Sequence, residues 1–357
     1  MATFASSPET FCVEEVPAYL PSGAGEHTFC FIEKRDLTTH EAMKRLARAL
    51  GAQEREMGYA GLKDRHAVTR QWLSVPRVAP EAALAVEIEG LRVLEAKQHG
   101  NKLRMGHLKG NRFEVVVTEL GPGEAAEIEA RFATLVRDGV PNRFGHQRFG
   151  AAGDNVATAL AVLRRQKREP DRRRRELLFS ALQSAVFNEA LDLRAARGGL
   201  MQLIEGDVLQ KCASGGLFAT NDLVTDAARV ASGEVVPTGP MPGGREIEPP
   251  AGSAARALED EALARVGVAR EELEALGRAL PGARRPVIVR LSAEGPAGGA
   301  PLRSDGLRLR FGLPPGSYAT VVLEALGVRL ATGPQNRAAV PGEEPRAAPE
   351  PAPEKLC

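Results

Sequence analysis

The segment 58–72, GYAGLKDRHAVTRQW, concentrates residues that do chemistry. Asp64 stands between Lys63 and Arg65, with His66, Thr69, Arg70 and Gln71 following. Cationic neighbours favour the ionised carboxylate even in a partly buried setting. An ionised carboxylate held by a cation is a workable nucleophile or base. Gly58 and Gly61 leave the backbone before it free to bend and to be approached closely. The plainer alternative is a polar loop with a surface ion pair. Lys63 as a Schiff-base amine is a weaker reading, because the adjacent charges favour its protonated form.

A second dense segment is 141–150, PNRFGHQRFG. Phe144 and Phe149 alternate with glycines and polar residues, which suits a base-stacking platform with Arg143 and Arg148 near an anion. Asn142 and Gln147 could hydrogen-bond the edge of a planar base. The alternative makes the two phenylalanines core anchors of a glycine-rich turn. His66 and His146 lack partner spacing and read as structural or surface groups. A third segment, PPGSYAT at 314–320, places a glycine before a helix start that Ser317 could cap. Helix N-termini bind anions; the alternative is a capped turn with Tyr318 packed inward.

Charge is balanced in sum, with 47 Lys+Arg against 46 Asp+Glu, but not in place. Residues 97–112 hold Lys97, Lys102, Arg104, Lys109 and Arg112 and no acid. Residues 161–175 hold eight bases, among them Arg172, Arg173, Arg174 and Arg175, against Glu169 and Asp171. Two such windows in a neutral chain read as a footprint for phosphates, with a solvated helix face as the alternative.

The elements that must carry these segments follow from periodicity. Residues 10–16, 27–33, 72–75, 91–95 and 112–118 read as strands. Thr38 and Glu41 form a capping box for a helix over 39–50, which Gly51 stops. Ile128, Phe132, Leu135 and Val136 give a second helix, 124–137, one apolar face. From about 152 the character turns helical, over 155–168, 176–195, 219–232, 255–265 and 269–280. The stretch 233–253 reads as a loop by its prolines and glycines. Residues 284–291 and 306–312 return to strand, and 318–326 is a short helix. Strands mixed with helices without a regular βα repeat indicate an α+β fold. The Pro-, Ala- and Glu-rich residues 334–357 read as a disordered tail.

The 357 residues suggest two domains, and 43% hydrophobic residues support a sizeable core. The four cysteines, at 12, 30, 212 and 357, have no metal-ligand spacing. No run reaches the 18 apolar residues of a membrane span, and the first residues do not read as a secretory signal. The expectation is a cytoplasmic protein. Phosphate-binding loops, dinucleotide fingerprints, HExxH and GxSxG are absent, which argues against kinases, dehydrogenases, zinc proteases and α/β-hydrolases. No cofactor or metal is implied.

Taken in order, the three segments resemble the tRNA pseudouridine synthase D family. Its GxKDxxAxTxQ stretch is matched by Gly61–Gln71, its NxFGxQRFG stretch by Asn142–Gly150, and its PGSxAT turn by 315–320. Weaker matches are PETFCVEE at 8–15, GHLKGNRFEV at 106–115 and FSALQSAVFN at 179–188. The resemblance spans about 8 to 327. It implies a pseudouridine synthase-type catalytic domain with a mixed or antiparallel sheet, built from 1–151 and 306–333. An inserted, mostly helical α/β domain would occupy 152–305. It also implies isomerisation of a uridine in tRNA, position 13 in bacterial members, without cofactor. tRNA would be the partner, and the enzyme a monomer needing no obligate protein partner. The essential aspartate of the family maps onto Asp64, and its phenylalanine against the target base onto Phe144. Lys63, Gln71, Asn142, Gln147 and Arg148 become candidate substrate contacts, with Lys63 or Arg148 as the cation beside Asp64. The basic windows become candidate RNA-backbone contacts. One departure is Ala5, where some members carry a lysine three residues before the PE dipeptide. Two other classes fit the residues less well: an RNA-binding protein without turnover, and a cofactor-free enzyme on a small nucleoside.

Overall fold

The strand Val68–Pro76 is buried along its whole length, and the rest of the main sheet is laid out around it. A computed structural model describes residues 1–331 except 151, 245 and 298–301, with only the backbone of Gln147; the expected tail, 334–357, lies outside the described residues. Across the sheet the strands run Leu307–Leu313, Leu108–Val117, Phe11–Pro17, Val68–Pro76, His27–Arg35 and Leu91–His99. Phe11–Pro17 and Val68–Pro76 pair parallel, and the other neighbours pair antiparallel. The short strand Gly58–Tyr59 adds to the far half of Val68–Pro76. The mixed sheet and the intervening helices agree with the α+β expectation.

Side chains alternate between the two faces of a sheet. Register places Val13 opposite Thr69, Lys34 opposite Thr69, Ile32 opposite Gln71 and Cys30 opposite Leu73, so all of these share one face. On that face Met43, Leu46 and Ala47 of the helix Thr39–Leu50 pack on Cys30, Ile32, Leu73 and Val75. Farther across, Ile128 of the helix Glu124–Asp138 and Val322 and Leu323 of the helix Ala319–Ala325 pack on Val13, Phe113, Val115 and Phe311. Burying each such aliphatic side chain is worth about 2 kcal/mol. Between the two clusters the face turns polar, with Glu15, Thr69, Gln71 and Lys34 all buried. The Thr39–Leu50 helix has the expected ends. Thr38 and Glu41 cap each other's backbone, and Gly51 closes the helix at φ 63°. Such a cap is worth about 1 kcal/mol.

Residues 159–280 build a separate helical core around Arg172–Ala196, packed against Asn155–Leu163 and Ala254–Val266. Beside it lies a four-stranded sheet, Leu217–Ala219, Val208–Lys211, Val235–Met241 and Ala283–Pro286. Here the expected loop at 233–253 needs correction, because Val235–Met241 is a strand in spite of Pro237 and Pro240. Its two halves pair on opposite sides: Val235–Pro237 with Leu209–Lys211, and Thr238–Met241 with Ala283–Pro286. Neither proline therefore sits between two full ladders, which removes the usual objection to proline in a central strand. The expected helix 269–280 is cut to Arg270–Glu274 plus a 3-10 turn at Gly277–Ala279.

Candidate active site

The loop carrying Asp64 is fixed at both ends by the sheet. Val68 opens the central strand on one side, and Gly58–Tyr59 pairs with Ser74 and Leu73 on the other. Between them the backbone is pinned by side chains. Gln71 Nε2 donates to the Gly61 carbonyl at 3.1 Å. Thr39 Oγ1 donates to Gln71 Oε1 at 3.0 Å and accepts from the Lys63 N–H at 2.9 Å. Ser6 Oγ donates to the His66 carbonyl at 2.7 Å, which sets the turn after Ala5 against the same loop. Lys34 Nζ donates to the Asp64 carbonyl at 2.8 Å and to the Leu37 carbonyl at 2.5 Å.

Lys34 is 0% exposed, and burial drives its pKa down to about 8, with Asp64 holding it up and Lys63 pressing it further down. For Asp64 the protein packed around the carboxyl displaces water and pushes its pKa above the ordinary value. Lys34, then Lys63 and His66, oppose that push. Asp64 is nevertheless an exposed residue, so the crowding is that of a cleft open on one side. Its carboxylate accepts no hydrogen bond from the described residues. The arrangement is a weakly solvated carboxylate with free lone pairs, a raised basicity and cations at its back. That suits attack on an electrophilic carbon or removal of a proton.

The cation strongest in effect is Lys34, which was not expected; Lys63 acts second, and Arg148 is not among the charges acting on Asp64. Lys63 Nζ instead pairs with Glu15 Oε2 at 2.7 Å, both side chains buried. Glu15 Oε1 also accepts from the Trp72 N–H at 3.3 Å. Gln71 is fully buried with both ends of its amide engaged, so it holds the loop rather than touching a substrate. Lys34 was legible in principle. Period two puts Thr28, Cys30, Ile32 and Lys34 on one face, and a lysine on an apolar face calls for a partner.

The second segment starts from the strand Val140–Pro141, paired with Ile288–Val289. Asn142 is buried; its Nδ2 donates to the Pro286 carbonyl at 3.0 Å and its Oδ1 accepts from Arg285. It too is spent on the framework, against the expected base contact. Phe144 is 8% exposed and meets Phe187 edge-on, with centroids 5.7 Å apart. Asn188 clamps the Phe144 backbone, accepting its N–H and donating to its carbonyl, each at 2.9 Å. Arg148 is held by Ser184 and Ser180. Arg143 pairs with Asp192. The side chain of Gln147 lies outside the described residues. In the third segment Ser317 does not cap the helix. Tyr318 occupies the cap position without a side-chain bond, and it is exposed rather than packed inward. Ala67 of the first segment and Ala319 of the third lie in one apolar cluster with Val140, the residue before the second segment.

Compared with known proteins, the chain matches the family model described as tRNA pseudouridine synthase D (TruD) over residues 2–169 and 168–326. The chain belongs to the tRNA pseudouridine synthase D family. Among its relatives, the tRNA pseudouridine synthase D of Anaeromyxobacter sp. (strain Fw109-5) is 45% identical over 328 residues, covering 90% of each chain. That of Geobacter sp. (strain M21) is 40% identical over 387 residues, covering 90% of this chain and 95% of the relative. That of a Thermus thermophilus strain is 44% identical over 317 residues, covering 88% of this chain and 86% of the relative. A crystal structure of a Methanosarcina mazei chain assigned to the same family superposes with TM-score 0.69 at 22% identity, over 92% and 94% of the two chains, and so shares the fold. The protein is an RNA-modifying enzyme of the isomerase class.

For a pseudouridine synthase acting on tRNA, the basic windows matter. Lys97, Arg104 and Lys109 carry no ion pair among the described residues, and all three are exposed. Lys102 is partly covered and donates to the Arg55 carbonyl at 3.0 Å. Arg112 departs from expectation: it pairs with Glu14 at 3.3 Å and Glu294 at 2.9 Å and is not a free cation. In the second window Arg172 pairs with Glu176 and Arg174 with Glu169, while Arg175 donates to the Glu169 and Pro170 carbonyls. Arg173 is exposed and has no acid partner among the described residues. All four arginines stand in the first turn of Arg172–Ala196, where positive charge opposes the helix dipole.

Proposed function

We propose that this synthase converts uridine 13 of tRNA to pseudouridine with Asp64 as its catalytic residue. The observation that carries the reading is the Asp64 carboxylate, carried on an exposed residue yet crowded by protein, free of hydrogen bonds from the described residues and backed by buried Lys34. The C1′–N1 bond breaks, the uracil turns and C1′–C5 forms; C5 loses a proton and N1 gains one, so the formula is unchanged and no oxidant or energy source is consumed. Asp64 acts at the ribose, as nucleophile toward C1′ or as base toward a ribose proton, and both roles need its ionised form. The target nucleotide leaves the RNA stack at a cost of a few kcal/mol. Phosphate contacts from the exposed lysines and arginines offset that cost. Phe144 stands at the base, with residues 152–305 as an insertion that buttresses it through Phe187 and Asn188.

The test is pseudouridine mapping in unmodified tRNA transcripts incubated with the wild type or with Asp64→Ala. A single site at position 13, formed by the wild type alone, is the expected result. A site elsewhere overturns the positional assignment, and product from Asp64→Ala overturns the role of the residue.

A further inference from the structure

The ring of Phe144 is shared by two guanidinium groups. Arg285 lies over it with Cζ 4.2 Å from the centroid, and Arg148 Cζ lies 5.5 Å away. Both arginines are anchored by neutral oxygens. Arg285 donates from Nε to the Asn142 carbonyl at 3.0 Å, and from Nη2 to Asn142 Oδ1 and, at 3.1 Å, to the Gly316 carbonyl. Arg148 donates from Nε to Ser184 Oγ at 3.1 Å and from Nη2 to Ser180 Oγ. Neither has a carboxylate within ion-pair distance among the described residues, and in each the Nη1 edge is left without a hydrogen bond from them. The more deeply buried Arg70 and Arg270 are paired differently: Arg70 meets Glu14 and Glu33, and Arg270 meets Glu246, Glu248 and Asp260.

Two like charges near one aromatic ring, partly covered by protein and without a carboxylate partner among the described residues, form a deficit that an anion fills. Burial and the neighbouring charge of Arg148 pull the Arg285 pKa down to about 10, with Tyr318 acting the other way. A guanidinium with a free edge recognises phosphate oxygens directionally, which an ammonium does not. Arg285 also ties the segments together: it comes from the strand Ala283–Pro286, bonds Asn142 of the second segment and reaches Gly316 of the third.

We propose that Arg148 and Arg285, stacked on Phe144, hold one backbone phosphodiester of the RNA beside the target nucleotide. This rests on the RNA-modifying reading above. It adds a residue from the smaller sheet to the substrate site and gives Phe144, besides its place at the base, a second task as the platform that fixes two cations.

The experiment measures affinity for an unmodified tRNA transcript over a salt series, together with KM, kcat and the melting temperature. For Arg285→Gln, the slope of log K against log salt is expected to shrink by roughly 0.7–0.9, the loss of one phosphate contact. KM should rise about tenfold or more while kcat changes less. Arg285→Lys should restore most of the slope but only part of KM, because the charge returns without the fork. A structural clamp would instead lower the melting temperature and kcat with the slope unmoved, and a folded Arg285→Gln protein with the wild-type slope overturns the proposal. If that variant does not fold, Arg148→Gln carries the same reading, and an unchanged slope there overturns it equally. Because the slope is read from binding alone, a wild type that binds tRNA but makes no pseudouridine counts against the catalytic reading and not against this one.

Discussion

Lys34 Nζ reaches the Asp64 carbonyl at 2.8 Å from a fully buried position on the strand beside the one that follows the Asp64 loop. One cation thereby fixes the backbone of that loop and lowers the energy of the carboxylate charge. The consequence is a pH profile with two limbs. In the role proposed for it Asp64 must be ionised, so activity falls as pH drops through a pKa raised above the ordinary aspartate value. It needs Lys34 charged, so it also falls as pH rises through about 8. In Lys34→Met the acid limb should move to higher pH, because the largest opposing charge on Asp64 is gone, and the alkaline limb should vanish. A profile of kcat/KM against pH for the two proteins checks this, and an alkaline limb surviving in Lys34→Met assigns that limb to another group.

The same lysine leaves a mark on stability. Its folded pKa, about 8, lies below the ordinary 10.5, so burying its charge costs stability at every pH below about 8. Between about 8 and 10.5 the folded protein sheds this proton while the unfolded chain keeps it, and that cost fades as pH rises. Denaturant unfolding of the wild type should therefore show a stabilising contribution across that window which Lys34→Met lacks. Equal pH dependence in both proteins would contradict it.

Lys63 and Glu15 form a pair with side chains 5% and 0% exposed. Breaking such a pair from one side leaves an uncompensated buried charge. Lys63→Met should cost about 3–5 kcal/mol, and the double change Lys63→Met with Glu15→Gln should recover much of it. Urea unfolding of the three variants measures the coupling; additive losses would show that the pair does not act as a unit.

Gly58 precedes the catalytic loop, and a Cβ there would lie 2.1 Å from the Leu103 carbonyl oxygen and 2.7 Å from Ser74 Oγ. Backbone cannot yield as a flexible side chain does. Gly58→Ala should lower the melting temperature and turnover together, whereas Gly51→Ala, where a Cβ meets nothing within 4 Å but φ is 63°, should lower stability alone. Melting curves and single-turnover rates separate the two.

Among the basic residues the structure sets an order. Arg173→Glu should weaken tRNA binding more than Arg172→Glu, because Arg172 already pairs with Glu176. Arg112→Ala should leave the salt slope of binding unchanged, since that guanidinium is held by Glu14 and Glu294. Filter binding at several salt concentrations ranks them, and a large slope change for Arg112→Ala would place it on the RNA instead.

What was legible in the chain depended on how local the signal was. The Thr39–Leu50 helix announced itself because Thr38, Glu41 and Gly51 are all within one turn of its ends. Asp64 stood out because its loop is a dense contiguous motif. The strand Val235–Met241 was missed because its prolines are tolerated only through a change of partner halfway along, which involves strands from 209 and from 283. Lys63, Gln71 and Asn142 stood out by type, but their task is set by Glu15, Thr39 and Arg285, far away in sequence. Lys34 and Arg285 were passed over for the same reason: each lies in an ordinary strand, 30 and 143 residues from the partners they serve.

The central claim is that Asp64 performs the chemistry on a bound tRNA uridine. Making pseudouridine removes the hydrogen at C5, so tRNA carrying tritium at uracil C5 releases label into water once per turnover. The measurement is single-turnover tritium release by the wild type and by Asp64→Asn, with tRNA affinity measured on the same samples. The account predicts stoichiometric release by the wild type and none above background by Asp64→Asn, at affinities within a few-fold of each other. Release by Asp64→Asn at a rate close to the wild type would contradict it.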